Sequence, residues 1–170
     1  KILIFGVGGM LGQSFNILCS YREKYEVVGL TRKDADITDD NEISGIIHNL
    51  KPDIIINCAA YTDVDAAEIP NQKSLIYRTN GTAVGSMAQA AAACGATLIH
   101  ISTNHVFQGW KACGCGIDDI IDPLNEYGKS KLLGEKQLLE NTDRYYLVRV
   151  QWLFGKPGSG KKCFPLWLIE

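Results

Sequence analysis

The sequence lacks any strong bias of charge or of hydropathy. Its 170 residues carry a formal net charge of −2, so no basic surface for nucleic acid or for an anionic membrane is predicted. No apolar run reaches the length of a membrane-spanning helix. The chain begins in a predicted strand at Lys1, without the pattern of a secretory signal peptide. We therefore expect a cytoplasmic protein with no nucleic-acid or membrane partner.

Internal repeats and low-complexity tracts are also lacking. The composition, 46% hydrophobic and 21% charged, is ordinary for a globular protein. A chain of this length can form one domain with a sizeable core.

The six cysteines lack the spacing of a zinc site or of a disulfide framework. Cys113 and Cys115 have no second Cys/His pair at zinc spacing, so we expect no metal. Cys58 lies in an apolar strand and Cys94 near the end of an alanine-rich helix, where free buried thiols are predicted. Scattered cysteines of this kind indicate a reducing cytosol.

The sequence does contain a regular alternation of strand and helix patterns. Strand patterns cover residues 1–5, 25–31, 53–57, 97–102 and 145–150, and helix patterns lie between them. The longest predicted helix runs from about residue 71 to Cys94 and ends at Gly95. Repeated βα units of this length predict an α/β fold, a Rossmann-like, doubly wound parallel sheet. The expected strand order is 3-2-1-4-5.

We divide the chain into a dinucleotide-binding domain, residues 1–155, and a short irregular segment, residues 156–170. The segment opens with a Gly- and Lys-rich loop that superficially resembles a P-loop. Position 162 is Lys rather than Ser or Thr, and no helix pattern follows, so we attribute the match to chance.

Three glycines follow the first strand, at positions 6, 9 and 12, in the spacing G-x-x-G-x-x-G. Such glycines permit a tight turn, close approach to a pyrophosphate and close packing of helix on strand. The helix that begins near Met10 and Leu11 would present its positive end to the phosphates. The turn predicts dinucleotide binding, although a glycine-rich turn that binds nothing remains open.

Two further groups of residues are expected at the carboxyl ends of the strands. Strand three is followed by small residues, and strand four ends in Ser102-Thr103. Tyr127 and Lys131 are four residues apart and share one helix face. A lysine ammonium near a tyrosine lowers the pKa of the phenol, and such a pair beside a nicotinamide can donate a proton to a carbonyl oxygen.

The preference between NADP and NAD is partly readable from the end of strand two. This strand ends in Leu30-Thr31-Arg32, with no carboxylate before Asp34. A carboxylate there would bind the ribose of NAD, whereas Arg32 can pair with a 2′-phosphate. We favour NADP or dual use, with a surface arginine as the alternative.

These residues resemble the extended short-chain dehydrogenase/reductase superfamily, and within it the dTDP-4-dehydrorhamnose reductase family. The resemblance runs from residue 1 to about residue 155. It is carried by the glycine turn and by the following runs: Asp36-Ile37-Thr38-Asp39, Asn57 to Glu68, His100-Ile101-Ser102-Thr103, Val106-Phe107-Gln108-Gly109, Pro123 to Glu135, and Val148 to Gly155. The run Ala-Ala-Tyr-Thr-x-Val-Asp-x-Ala-Glu is quite specific to this branch.

The resemblance implies an NAD(P)H-dependent oxidoreductase that reduces dTDP-4-dehydro-L-rhamnose in the last step to dTDP-L-rhamnose. A nucleotide sugar would be its small-molecule partner, and a homodimer is allowed. A C-terminal substrate domain would be largely absent from this chain.

Site roles follow from the same resemblance. Thr103, Tyr127 and Lys131 would be catalytic, with Thr103 on the keto oxygen, Tyr127 as proton donor and Lys131 on the nicotinamide ribose. Thr103, Asn104, His105 and Trp152 would contact the sugar. The cofactor residues would be Gly6, Gly9, Met10, Leu11, Gly12, Arg32, Asp36, Ile37, Ala59, Ala60, Tyr61 and Lys131.

The chain departs from the family pattern directly after Ser102-Thr103. The family has Asp-Tyr-Val-Phe-x-Gly there, whereas this chain has Asn104 and His105 before Val106. The alternative function is therefore a non-catalytic or truncated NADP-binding module, or a regulatory subunit of the same superfamily. A dehydratase, which needs an acidic pair at this point, is disfavoured.

Overall fold

The fold is a five-stranded parallel sheet with helices on both faces, as predicted. The computed structural model describes residues 1–109 and 114–155. The main elements, in chain order, are β1 (Ile2–Phe5), α1 (Met10–Ser20), β2 (Val27–Leu30), α2 (Asp40–Leu50), β3 (Ile54–Asn57), α3 (Lys73–Tyr77), α4 (Ala83–Cys94), β4 (Thr97–Thr103), α5 (Glu126–Asn141) and β5 (Tyr145–Val150).

The strand order is 2-1-3-4-5, so the expected order 3-2-1-4-5 is wrong. The third strand pairs with β1 and β4 rather than with β2. Burial explains the difference, because Ile55 and Ile56 of β3 are almost fully buried and would be exposed on an edge strand. The four residues of β2 are only partly buried and form the edge instead. Successive strands are therefore added in one direction from β1 to β2 and in the opposite direction from β3 onward. Ligands bind in such sheets at this switch point, between β1 and β3.

Apolar side chains fill both faces of the sheet. Leu3, Phe5 and Ile55 point to the face covered by α2 and α4, where buried alanines let the helix approach closely. Ile4 and Ile56 point to the opposite face, against Phe15 of α1. Strands that are apolar on both sides are typical of a sheet covered on both sides.

The predicted helix of residues 71–94 is interrupted rather than continuous. It contains α3, a π-helical turn over Arg78–Thr82, and α4. The predicted stop at Gly95 is confirmed, because Gly95 has the left-handed conformation typical of a helix end. Single π turns occur frequently at functional sites, and this one places Asn80 beside the predicted cofactor loop.

Replacing Gly45 with alanine is expected to stabilise the domain by about 0.5–1 kcal/mol. Gly45 lies inside α2, and a methyl group there would meet nothing within 4 Å. The gain comes from helix propensity alone, and urea unfolding measures it. The matched change at Gly134 in α5 is expected to destabilise, because its Cβ would lie 2.2 Å from the Asn80 carbonyl oxygen. Equal effects at the two sites would contradict this account.

Across residues 1–109 and 114–155, no helix is both long enough and apolar enough to cross a membrane. The segment 156–170 and Cys113 lie outside the described residues, so the domain boundary at residue 155 and the interpretation of the Cys113/Cys115 pair remain sequence-based predictions.

Candidate active site

A cavity of about 1020 Å³ lies at the carboxyl ends of the strands. It runs from the first glycine turn, across the ends of β1 and β3, to the start of α5. Every site residue predicted from the sequence lines it: Gly6, Gly9, Met10, Leu11, Gly12, Arg32, Asp36, Ile37, Ala59, Ala60, Tyr61, Thr103, Asn104, His105, Tyr127, Lys131 and Trp152. Residues from six separate parts of the chain therefore meet in one cleft.

The glycine turn is closed so tightly that side chains do not fit at two of its positions. Gly6 has a positive φ of 83°, and a Cβ there would lie 2.7 Å from the backbone nitrogen of Ala59. A Cβ on Gly12 would lie 2.3 Å from the Gly6 carbonyl oxygen. No side chain caps the first turn of α1. The turn and the helix end thus present backbone to the cavity, which fits a pyrophosphate.

Basic and acidic side chains lie where β2 ends. Arg32 and Asp36 are both exposed at the cavity edge. The carboxylate of Asp34 accepts hydrogen bonds from the backbone and hydroxyl of Thr31, at 2.8 and 2.6 Å. Asp36 accepts from the backbone and hydroxyl of Thr38, and these bonds lower the pKa of Asp36. Both carboxylates are therefore ionised, and each accepts hydrogen bonds within its own turn.

Asn80, in the π turn, fixes the loop after β3. Its side-chain oxygen accepts from the Tyr61 backbone N–H at 2.8 Å, and its nitrogen donates to the Tyr61 carbonyl at 3.0 Å. The same nitrogen donates to Ser130 of α5 at 3.0 Å. Asn80 is almost fully buried and joins the cofactor side of the cleft to the helix that carries Tyr127.

A short 3₁₀ turn, Asn104–Val106, follows β4 and packs against the start of α5. The Thr103 hydroxyl accepts from the His105 backbone N–H at 3.2 Å. Asn125 caps α5 through the Gly128 N–H and contacts Nδ1 of His105 at 3.0 Å. A Cβ on Gly128 would lie 2.3 Å from the His105 carbonyl oxygen. This tight contact sets the distance between Thr103 and the helix.

Tyr127 lies on the first turn of α5, with its ring edge-on to His105 at 5.5 Å between ring centroids. Burial raises the pKa of Tyr127, and the neighbouring Thr103 hydroxyl partly opposes this shift. The expected lowering of this pKa by Lys131 is not found: burial raises the pKa, and the opposing effect comes from Thr103 rather than from Lys131. Tyr127 is therefore protonated at neutral pH and holds a proton that it can donate.

Lys131 is almost completely buried one turn further along α5. Its ammonium donates to the Ile101 carbonyl at 2.7 Å and lies 3.4 Å from Nε2 of His100. Burial lowers the pKa of Lys131 to about 8, while Glu135 and, to a smaller extent, Cys58 act in the opposite direction. Lys131 thus changes its charge near physiological pH.

A partly buried ion pair holds α5 against the sheet. Glu135 forms a bidentate pair with Arg149 of β5, at 3.0 and 2.7 Å, and accepts from the Ser102 hydroxyl at 2.5 Å. Arg149 in turn stacks over Phe107 at 5.1 Å. These contacts fix the rotation of α5, and with it the direction of Tyr127 and Lys131.

Sequence reasoning did not find several residues at or beneath the site. Lys33 lines the cavity beside Arg32, and its position next to Arg32 could have indicated it. Asn57 and His100 lie buried beneath Lys131, and a polar residue inside an apolar strand is the signal that was available for both. Asn80 had no comparable signal, because its helix pattern gives no sign of the π turn.

The protein-family model described as RmlD substrate binding domain matches residues 1–165. The chain belongs to this family. A dTDP-4-dehydrorhamnose reductase of Aggregatibacter actinomycetemcomitans is 40% identical to this RmlD-family chain over 159 residues, covering 94% of the chain and 53% of that protein. The spore coat polysaccharide biosynthesis protein SpsK of Bacillus subtilis is 37% identical, over 94% of the chain and 55% of that protein. The chain spans about half the length of the curated relatives it matches.

Solved structures of this family have the same fold. A dTDP-4-dehydrorhamnose reductase from Bacillus anthracis, solved in complex with NADP, superposes with a TM-score of 0.88 at 36% identity, over 93% of this chain and 55% of that one. The Clostridium acetobutylicum reductase superposes with a TM-score of 0.89 at 35% identity, over 99% of this chain and 58% of that one. The RmlD-family chain therefore corresponds to the half that contains the parallel sheet.

Proposed function

We propose that this chain is the cofactor-binding and proton-donating half of an NAD(P)H-dependent reductase. Its substrate would be a 4-keto sugar linked to a nucleotide, dTDP-4-dehydro-L-rhamnose, reduced to dTDP-L-rhamnose. The single observation that carries the proposal is the position of the Tyr127 phenol, with Thr103 and Lys131 beside it, in the same cleft as the glycine turn. The named relatives support it through their reductase names.

The residues of the cleft fit a nicotinamide dinucleotide. The pyrophosphate would lie on the turn of Gly6, Gly9 and Gly12 and on the N-terminus of α1, with Met10 and Leu11 beside it. Asp36 and Ile37 would lie near the adenine, and Ala59, Ala60 and Tyr61 would lie along the dinucleotide. When bound, the reduced nicotinamide supplies the hydride.

The remaining roles concern the keto sugar. Thr103 would hold the keto oxygen, and Tyr127 would donate its proton to that oxygen. Lys131 would hold the nicotinamide ribose. Asn104 and His105 would lie near the sugar, and Trp152, 64% exposed at the cavity edge, would pack against it.

We favour NADP over NAD as the cofactor. The two carboxylates that follow β2, Asp34 and Asp36, each use one oxygen to accept hydrogen bonds within their own turns, from Thr31 and Thr38. Arg32 and Lys33 both line the cavity at this end, and a guanidinium matches a phosphate geometrically. The NADP complex of the Bacillus anthracis relative supports this choice.

Replacing Arg32 with serine is expected to weaken NADPH binding by about tenfold to a hundredfold, through loss of a charge-assisted hydrogen bond. NADH affinity should change little, since NADH has no 2′-phosphate. Calorimetric titration of both cofactors into the 170-residue chain measures the effect. Arg22→Ser, at an exposed position after α1, is the matched control. An equal loss for NADH and NADPH would contradict the role given to Arg32.

The reductase function is tested in a chimaera. Residues 1–155 of this chain replace the matching half of the Aggregatibacter reductase, and NADPH oxidation is followed with dTDP-4-dehydro-L-rhamnose. We expect turnover above that of the chimaera carrying Thr103→Val. A folded chimaera that binds NADPH and gives no turnover would refute the proposal.

That negative result would favour the second candidate, a non-catalytic NADP-binding module. Asn104 and His105 support it, because they replace the Asp-Tyr of the family pattern at the sugar side of the cleft. If NADPH does not bind at all, this candidate fails as well.

The cellular setting is part of the proposal. The described cysteines Cys19, Cys58, Cys94 and Cys115 are free thiols, which suits a cytoplasmic enzyme. A homodimer remains a prediction.

A further inference from the structure

Three residues form a continuous buried chain beneath the cleft. Nδ2 of Asn57 lies 3.2 Å from Nδ1 of His100, and Nε2 of His100 lies 3.4 Å from Nζ of Lys131. Asn57 and His100 are at most 1% exposed. Only Lys131 has a role in the proposed reaction, so the function of the other two is unassigned.

The backbone N–H of Ala59 determines which atom donates and which accepts in each contact from Asn57 through His100 to Lys131. Its N–H donates to Oδ1 of Asn57 at 3.1 Å, so the other end of the amide, the NH₂ group, faces His100. An NH₂ group can only donate, and Nδ1 of His100 must therefore accept. A neutral imidazole that accepts at Nδ1 carries its proton on Nε2.

His100 is held neutral by its surroundings. Burial lowers the pKa of His100 well below its usual range, and the charge of Lys131 acts in the same direction. Its Nε2–H thus points at Lys131. An ammonium has no lone pair to accept this proton, whereas a neutral amine has one.

We propose that Asn57 and His100 are positioning residues that hold an N–H donor against Lys131 and so favour its neutral amine over its ammonium. The Ala59 backbone, in the cofactor-binding loop, orients the amide of Asn57, and this amide selects the tautomer of His100. The tautomer in turn affects the charge of Lys131. The other titratable groups that act on Lys131 are Cys58, after β3, and Glu135, on α5. Glu135 is bonded to Arg149, which reduces its pull on the ammonium.

The consequence for turnover rests on the proposed reductase function, whereas the tautomer and the charge of Lys131 do not. If the ammonium supports proton donation by Tyr127, activity declines as Lys131 loses its proton. The Asn57–His100 pair would then set the alkaline limit of the pH profile.

The test is NMR spectroscopy of the 170-residue chain without substrate. In ¹⁵N-labelled wild-type protein we expect His100 as the neutral tautomer with its proton on Nε2 between pH 6 and pH 8, a range that includes the unperturbed pKa of a histidine. The His48→Gln variant, changed at an exposed residue of α2, helps to assign the signals. A proton on Nδ1, or a charged imidazole at pH 7, would overturn the proposal without any variant having to fold.

Two variants then test the effect on Lys131, followed through its labelled side chain and assigned by its loss in Lys131→Arg. Asn57→Asp keeps the shape of the side chain, but its carboxylate accepts a hydrogen bond from Nδ1–H of His100. The imidazole then carries its proton on Nδ1, so Nε2 can accept a hydrogen bond from the Lys131 ammonium. His100→Gln places a carbonyl oxygen near the Nε2 position without adding charge. Each is expected to raise the pKa of Lys131 by about one unit, a tenfold change, while His48→Gln leaves it unchanged.

A rise in Asn57→Asp alone would assign the effect to the added charge and would overturn the proposal. A rise in both variants, with no change in NADPH oxidation by the matching chimaeras, would keep the proposal and count against the reductase role of Lys131.

Discussion

Replacing Tyr127 with phenylalanine lowers turnover of the keto sugar by about 10²–10⁴-fold, the usual contribution of a positioned general acid. The phenol is protonated in the cleft because burial raises its pKa, so the hydroxyl is the group lost. The ring remains and keeps its edge-on contact with His105. NADPH affinity should therefore change by less than about fivefold, which is within the free-energy contribution of one neutral hydrogen bond.

The measurement is steady-state NADPH oxidation by the chimaera, with calorimetric titration of NADPH into the 170-residue variant. Tyr21→Phe, at a residue 80% exposed, removes a hydroxyl far from the site and serves as control. Unchanged turnover in Tyr127→Phe, or a large loss of NADPH affinity, would contradict the role of proton donor.

Replacing Lys131 with methionine is expected to abolish most turnover and yet to stabilise the protein at pH 7. Burial lowers the pKa of Lys131 to about 8, so folding disfavours its ammonium relative to the unfolded chain. Methionine fills a similar volume without charge, although the Ile101 carbonyl loses its donor. We expect a net gain of about 1–2 kcal/mol in the free energy of unfolding.

The sign of the pH dependence follows from the lowered pKa. Between about pH 8 and the unfolded pKa near 10.4, the unfolded chain binds more protons at this lysine than the folded one, so wild-type stability rises with pH. The advantage of Lys131→Met is therefore largest below pH 8 and shrinks above it. Urea unfolding at several pH values measures it. If Lys131→Met were more stable than the wild type by the same free energy of unfolding at every pH, this would contradict a buried Lys131 with a lowered pKa.

Lys129 provides the matched control on the same helix. It is 46% exposed and pairs with Glu126, so its replacement with methionine removes a solvated charge and should give no such gain.

The local elements of this fold were readable from the sequence because each depends on neighbouring residues. Apolar runs predict the five strands, Gly95 predicts a helix end, and the four-residue spacing puts Tyr127 and Lys131 on one face. The strand order was not readable in this way. It depends on which strand is buried on both sides, and Ile55 and Ile56 show this only once β3 lies between β1 and β4.

The chemistry of Lys131 was beyond sequence reasoning for a similar reason. Spacing brings it near Tyr127 and suggests an ammonium that lowers the phenol's pKa. Burial lowers its pKa, and the residues buried next to it are distant in sequence. His100, 31 residues away, lies 3.4 Å from its Nζ, and His100 in turn contacts Asn57, another 43 residues distant. The parallel sheet brings these positions together, and no local pattern reports that.

The most direct test of the account is isotope transfer in the chimaera. NADPH deuterated at nicotinamide C4 is mixed with enzyme and dTDP-4-dehydro-L-rhamnose, and the sugar product is analysed by mass spectrometry. We predict deuterium on C4 of the sugar with wild-type residues 1–155, and little with Tyr127→Phe. Bound NADPH with no deuterium in the sugar would contradict the claim that this cleft supports reduction.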